Sequence, residues 1–339
     1  MNTQTLNVGL IGAGRIGKVH AETLAFRVPE ARTIYLTDLN HQVAEQVAAR
    51  FGIPKVAGSV DQILADPTIQ AVLICSSTDT HADLIVRAAQ AGKHIFCEKP
   101  IAHSLAQIDA ALAAVQRAGV KLQIGFNRRF DPNFARVRAA VAGGEIGSPR
   151  LLHIISRDPA PPPVSYVKVS GGIFLDMTIH DFDMARFLIG DEVEEIYTAA
   201  GVMVDPAIGE AGDLDTALIV LRFRHGVIGM IDNCRQAAYG YDQRAEILGS
   251  AGKIATENCY PNQATLSTAE CVRKDLPFNF FMDRYTESFT NEIRSFVQSV
   301  LQDKTTAVTG LDGRMPVVMG LAARKSFDEH RPVRLDEIR

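Results

Sequence analysis

The chain has 339 residues with a formal net charge of −4, 47% hydrophobic and 22% charged residues. That length allows two domains with cores of ordinary size, and the small, interspersed charge gives no footprint for nucleic acid or an anionic membrane. No apolar run is long enough to span a bilayer, and the first strand begins by Leu6, too early for a signal peptide to precede it. The five cysteines (75, 97, 234, 259 and 271) are odd in number and scattered. They read as reduced thiols of a cytoplasmic protein, with neither a disulfide set nor a metal site expected.

The first element is also the most informative. An apolar run from Leu6 to Ile11 leads directly into Gly12-Ala13-Gly14-Arg15-Ile16-Gly17, the G-x-G-x-x-G pattern, and then into a helix near 17–27. Gly12 suits the tight turn, Gly14 lets a pyrophosphate approach the backbone, and Gly17 lets the helix pack against the strand. The phosphates would then sit on the helix N-terminus. The next strand, 33–37, ends in Asp38, about 20 residues after the last glycine, where a carboxylate binds both ribose hydroxyls of NAD and repels the 2′-phosphate of NADP. NAD is therefore the expected cofactor.

A helix near 40–51 and a buried strand, 71–75, follow. A helix then starts at Asp79-Thr80 and ends near Gly92, before a short strand at 94–97. Ser104 reads as the N-cap of a helix that ends at Gly119, and 122–125 is a further strand. This alternation predicts a doubly wound parallel sheet, a Rossmann domain over residues 1–125.

Beyond 125 the rhythm changes. Helical patterns cover 134–142 and 172–189, with a Pro-rich stretch at 159–163. Runs rich in Val, Ile and Thr then occupy 193–204, 215–223, 227–236, 244–249, 253–258 and 264–273, with hairpin turns at His225-Gly226 and Ser250-Ala251-Gly252. Helices near 285–302 and 313–329 close the chain. Residues 126–339 are thus expected to form an α+β domain with a large, open-faced, mostly antiparallel sheet. A sheet with one face left bare needs a cover, and a second subunit would supply it.

Three groups of residues carry candidate chemistry. Glu98-Lys99-Pro100 stands at the carboxyl end of a predicted parallel strand, where ligands bind in such sheets, and a lysine there can stabilise an alkoxide. Asp176, His180 and Asp183 are spaced i, i+4, i+7 on a strongly apolar helical pattern, so they predict a polar stripe on one face. Such a stripe suits acid–base work by His180, with Asp176 supporting it. The third group comprises the polar loops Asn127-Arg128-Arg129, Arg157-Asp158 and Tyr239-Gly240-Tyr241-Asp242, which offer hydrogen-bond groups for a polyhydroxylated ligand.

Taken together, G-x-G-x-x-G at 12–17, Glu98-Lys99-Pro100 and Asp-x-x-x-His at 176–180 resemble the Gfo/Idh/MocA family of NAD(P)-dependent oxidoreductases over essentially the whole chain. The resemblance implies a catalytic trio of Lys99, Asp176 and His180, with His180 as the acid–base. It also implies Gly12, Gly14, Arg15, Ile16, Gly17, Asp38, Ser76 and Glu98 along NAD, and Lys99, Arg129, Asp158, Asp176, His180, Asp183 and Tyr239 around the substrate. That substrate would be a cyclic polyol, myo-inositol foremost, oxidised to its 2-keto form. A homotetramer is implied as the assembly. Another inositol isomer or sugar, and a dinucleotide sensor without catalysis, are the competing readings.

Overall fold

In the computed structural model, which describes residues 5–338, the N-terminal run forms strand β1 (Leu6–Ile11) and the glycine turn leads into helix α1 (Arg15–Phe26). Next come β2 (Ala31–Thr37), α2 (His41–Phe51), β3 (Lys55–Val56), α3 (Val60–Ala65), β4 (Ala71–Ile74) and α4 (Thr78–Gln90). The series ends with β5 (His94–Glu98), α5 (Leu105–Ala118) and β6 (Leu122–Gly125). The six strands pair in parallel, in the order β3-β2-β1-β4-β5-β6. Strand order reverses between β1 and β4, and the carboxyl ends flanking such a switch point are where open sheets take ligands. Gly12 and Ser76 stand at those two ends. The short pair β3 and α3 was not legible in the sequence, because two or six residues are too few to show a period.

The chain continues with α6 (Pro132–Ala142), β7 (Pro149–Arg157), α7 (Val164–Val167), α8 (Gly172–Asp176), α9 (Thr178–Ile189), β8 (Val193–Gly201) and α10 (Pro206–Glu210). Then follow β9 (Thr216–Phe223), β10 (Ile228–Cys234), β11 (Asp242–Gly249), β12 (Lys253–Thr256), β13 (Thr265–Ser267), β14 (Val272–Lys274) and α11 (Phe281–Arg284). Finally come α12 (Thr286–Leu301), α13 (Gly310–Glu329) and β15 (Val333–Arg334). Seven strands form a mixed sheet in the order β12-β11-β7-β10-β9-β8-β15, antiparallel except for the β7–β10 pair.

Two sequence expectations need correction here. The run 264–273 does not join the large sheet; it folds into its own hairpin of β13 and β14, whose residues are all exposed. The helical pattern 172–189 is two helices with a break at Met177, so the i, i+4, i+7 spacing of Asp176, His180 and Asp183 does not run along one continuous helix. Neither glycine nor proline marks the break. Thr178 Oγ1 donates to Asn233 Oδ1 at 2.6 Å, a tertiary bond that anchors the start of α9. Strand β7, central in the sheet, was also missed, since its alternation is short and follows a loop rich in glycine.

Two compact units result, Met1–Phe130 with Glu287–Met315, and Asp131–Thr286 with Pro316–Arg339. The contiguous division into 1–125 and 126–339 therefore differs from the structure over 126–130 and 287–315. The physical reason is the apolar face of α12: Ile293, Phe296 and Val297 join the core of Leu6, Leu10, Leu36, Leu73 and Phe96. Segment 306–308 then follows β6, with Thr306 Oγ1 donating to Leu122 O at 2.7 Å and Ile124 N to Val308 O at 3.2 Å.

In the second unit, α9 packs on β7 and β10 and covers the face built by Ile154, Ile219, Leu221 and Ile231. The opposite face is apolar and exposed. Tyr197, Val220 and Met230 are register partners across β8, β9 and β10, and Ile228, Leu151 and Leu248 across β10, β7 and β11. No helix among the described residues is long and apolar enough to cross a membrane.

Candidate active site

The candidate residues divide between the two units. In the first, Gly12 has φ 103°, and a Cβ there would meet Cys75 O at 2.5 Å and Ser76 N at 2.8 Å. A Cβ on Gly17 would lie 2.1 Å from Gly12 O, so the helix is docked on the turn more closely than any side chain permits. Around Gly14 a Cβ would meet nothing within 4 Å, and this residue caps α1 without a side-chain hydrogen bond. The first turn of α1 carries no acidic residue, so its backbone donors and the positive end of its dipole face the open side of the turn. These features fit a dinucleotide pyrophosphate.

Asp38, just past β2, reaches back over the same turn. Its Oδ2 accepts from Ala13 N at 2.7 Å and its Oδ1 from Asn40 N at 2.8 Å. Arg15 is exposed and Ile16 half-buried at the start of α1. Ser76, after β4, exchanges a hydrogen bond with Thr80 across 2.6 Å. Buried His81 lies with Nδ1 2.8 Å from Pro100 O and Nε2 3.1 Å from Ser76 O, tying the ends of β4 and β5 together. Lys99 is half-buried, and its peptide bond to Pro100 is cis.

Glu98 does not follow its expected course. It is buried, and its Oε1 pairs with His20 Nε2 of α1 at 2.6 Å, so the carboxylate points into the unit and away from an open surface. Arg129, expected near the substrate, donates to Asp312 Oδ1 at 2.9 Å. Burial opposes ionisation of Asp312, but the charge of Arg129 and the bonds from Thr309 outweigh it and hold this carboxyl below its usual range.

In the second unit Asp176 ends α8 with both oxygens engaged. Tyr166 Oη donates to Oδ1 at 2.9 Å, and Arg235 Nη1 donates to Oδ2 at 3.2 Å. Arg235 is only 1% exposed and also lies 3.5 Å from Asp213, whose Oδ1 accepts from Ile173 N at 2.9 Å. A buried guanidinium thus ties α8 to the loop before β9. His180, one turn into α9, is half-buried. Asp181 and Asp183 are fully buried, Asp181 accepting from Asn233 Nδ2 at 2.9 Å.

The polar loops form a second network. Arg157 pairs with Asp232 and donates to Tyr239 Oη at 3.0 Å, while Tyr239 Oη donates to Asp242 at 2.5 Å. Burial raises the Tyr239 phenol, the bond to Asp242 adds to this, and Arg157 opposes it. Asp158 is fixed through its backbone, which donates to Cys234 O at 3.0 Å and accepts from Ala237 N at 2.7 Å.

The sequence reading missed Tyr166, His81, Asp213 and Arg235 altogether; the partners of Asp213 and Arg235 come from elements distant in the chain, and those of Tyr166 and His81 lie across turns that no periodicity marks. It also missed His20 and Glu292, although both interrupt an apolar helical stripe. His20 lies among Gly17, Ala21 and Leu24 on α1, and Glu292 among Phe289, Ile293 and Phe296 on α12.

Residues 6–126 match the family described as an oxidoreductase family with an NAD-binding Rossmann fold, and residues 134–255 match the GFO/IDH/MocA C-terminal domain. The chain belongs to the Gfo/Idh/MocA oxidoreductase family. It is 45% identical to the myo-inositol 2-dehydrogenase of Thermotoga maritima over 98% of this chain and 99% of that one. It is 38% identical to the scyllo-inositol 2-dehydrogenase (NAD(+)) of Bacillus subtilis, over 96% of this chain and 95% of the relative. The crystal structure of scyllo-inositol dehydrogenase from Lactobacillus casei, with bound NAD(H) and scyllo-inositol, matches with a TM-score of 0.91 at 29% identity, covering 98% of this chain and 99% of that one.

The protein is therefore an NAD-dependent oxidoreductase of this family. For the Asp38→Ser variant we expect the ratio of kcat/KM for NAD over NADP to fall by about 10- to 100-fold, the range for losing a hydrogen bond to a charged group. Steady-state kinetics with both cofactors checks this, and an unchanged ratio would remove Asp38 from the ribose.

Proposed function

We propose that this oxidoreductase oxidises a secondary alcohol of an inositol ring, with myo-inositol giving 2-keto-myo-inositol. One observation carries the reading: full-length identity of 45% to a relative named for that reaction, in a chain that carries Lys99, Asp176 and His180. The competing isomer is scyllo-inositol, favoured by the 38% identical Bacillus subtilis relative.

In this reading His180 takes the proton of the reacting hydroxyl, a task that a half-buried imidazole performs near neutral pH. Asp176 holds the local field that favours the imidazolium once the proton has arrived, while its own two oxygens stay fixed by Tyr166 and Arg235. Lys99 donates to the substrate oxygen and stabilises the developing alkoxide. NAD, when bound, supplies the acceptor for the hydride that leaves the carbinol carbon. Gly12, Gly14, Arg15, Ile16, Gly17, Asp38 and Ser76 hold the cofactor, and Glu98 acts behind Lys99. Asp158 and Tyr239 contact the remaining hydroxyls, with Arg129 contributing from its pair with Asp312, whereas Asp183, fully buried, supports α9 from within and does not touch the substrate. A dinucleotide sensor would have no use for the trio.

The test is NADH formation at 340 nm with myo-, scyllo- and D-chiro-inositol, glucose and xylose. Myo-inositol is expected to give the highest kcat/KM, and a higher value for another polyol would overturn the substrate assignment. With the best substrate, His180→Ala should lower kcat by about 10²–10⁴-fold, the range for a general base. A wild-type kcat across neutral pH would remove His180 from that role.

The exposed apolar face of the seven-stranded sheet supports a homo-oligomer, a tetramer in our reading, because soluble monomers rarely leave so large a patch bare. The thiols of Cys75, Cys97, Cys234, Cys259 and Cys271, all free, support a cytoplasmic location. Light scattering at micromolar concentration should report a mass well above 36.9 kDa. Replacing Val220 and Met230 with Glu should drive the protein toward monomer, and a wild-type monomer would overturn the assembly.

A further inference from the structure

The least satisfied groups of the first unit lie behind Lys99. His20, Glu98 and Glu292 come from α1, β5 and α12, all three are buried, and one side-chain polar atom of each lies within 4.8 Å of the others. His20 Nε2 meets Glu98 Oε1, but His20 Nδ1 and both carboxyl oxygens of Glu292 are buried without a hydrogen-bond partner. Nε2 and Oε1 share one hydrogen bond at 2.6 Å, which leaves Glu292 as the carboxyl without a partner beside Glu98. A second ionised carboxyl beside it, desolvated and unpaired, would cost several kcal/mol.

The charge that acts on the Glu292 carboxyl is that of Glu98, which is of like sign. The titratable groups set against Glu292 include Glu98, His20 and the Cys75 thiol, and the Cys97 thiol lies in the field of Glu98. Burial and the nearby Glu98 charge push both thiols well up, so they stay neutral. Gln123 engages only the Glu292 backbone, donating from Nε2 to its carbonyl at 3.0 Å. Burial, and next the charge of Glu98, drive the Glu292 carboxyl well above its ordinary range.

We propose that Glu292 is a neutral carboxylic acid whose proton faces the Glu98 carboxylate, directly or through one water. Glu292 and His20 are then positioning residues for the strand end that carries Lys99. Glu98 precedes Lys99, and a Cβ on Gly125 of neighbouring β6 would fall only 3.0 Å from Glu98 Oε2, so the carboxylate is enclosed on that side as well. A fixed carboxylate limits the freedom of the strand end at the residue before the lysine. The catalytic half of this inference rests on the proposed role of Lys99; the protonation half does not.

The sign of the pH effect follows from linkage. Unfolded Glu292 ionises above its ordinary value of 4.5, whereas folded Glu292 keeps its proton, so stability from this group is lost as pH rises through the neutral range. Glutamine keeps the shape and a donor without titrating. Melting temperatures of the NAD-free protein should therefore show Glu292→Gln gaining on the wild type steadily from pH 5 to pH 8. A difference that stays constant or shrinks with pH overturns the proposal, and so does a stoichiometric divalent metal found in protein purified without chelator.

In turnover, Glu292→Leu should lower kcat about tenfold with a smaller change in KM, and Glu292→Gln should rescue most of that loss. Equal losses in both variants overturn the positioning role. Should the leucine variant fail to fold, or no substrate be found, the pH series decides the proton's place alone.

Discussion

The first unit depends on one close approach. Gly17 sits so near Gly12 O that a single methyl group would be 2.1 Å from it, and this contact sets how α1 leaves the sheet. From that helix His20 reaches Glu98 at the end of β5, and Glu98 is followed by Lys99. The glycine turn and the strand end that carries Lys99 are thus linked through α1 and the His20–Glu98 contact. Asp38 closes it from the other side, because its carboxylate accepts from Ala13 within the same turn. Larger residues at 12 or 17 would move the helix, and with it His20.

The second unit solves a comparable problem with charge. Arg235 is almost wholly buried, and a guanidinium in that position is tolerable only with carboxylates on it. Asp176 and Asp213 are those partners, at 3.2 and 3.5 Å. Removing one partner of a buried pair costs about 3–5 kcal/mol, since the other is left desolvated and uncompensated. The arrangement therefore fixes Asp176 at the end of α8 independently of any ligand. Tyr166, delivered by the short helix after the Pro-rich loop, occupies the other oxygen. Both oxygens of Asp176 are thus held in place by neighbours of its own unit.

Both units place charge in the interior, but they neutralise it differently. Around Arg235 a cation meets two carboxylates. Around Glu98 one carboxyl meets the His20 imidazole and, in our inference, a second carboxyl that keeps its proton. The second solution has a consequence with pH, because a buried neutral carboxyl loses its advantage toward alkali.

The sequence by itself determined the nucleotide-binding half. The glycine turn, the alternation of strands and helices and NAD as cofactor were all legible, because each rests on local spacing along a periodic element. It also determined that the second sheet would leave an apolar face bare. Only the tertiary structure decided that α12 belongs to the first core, that α8 and α9 are separate helices, and that β13 and β14 stand apart from the sheet. It alone decided the partners of Asp176 and Glu98. Those partners lie 59 residues away for Arg235 and 78 for His20, and no periodicity links positions so distant. What joins them is the cost of burying an unpaired charge, which depends on which elements pack together and is set only once the cores have closed.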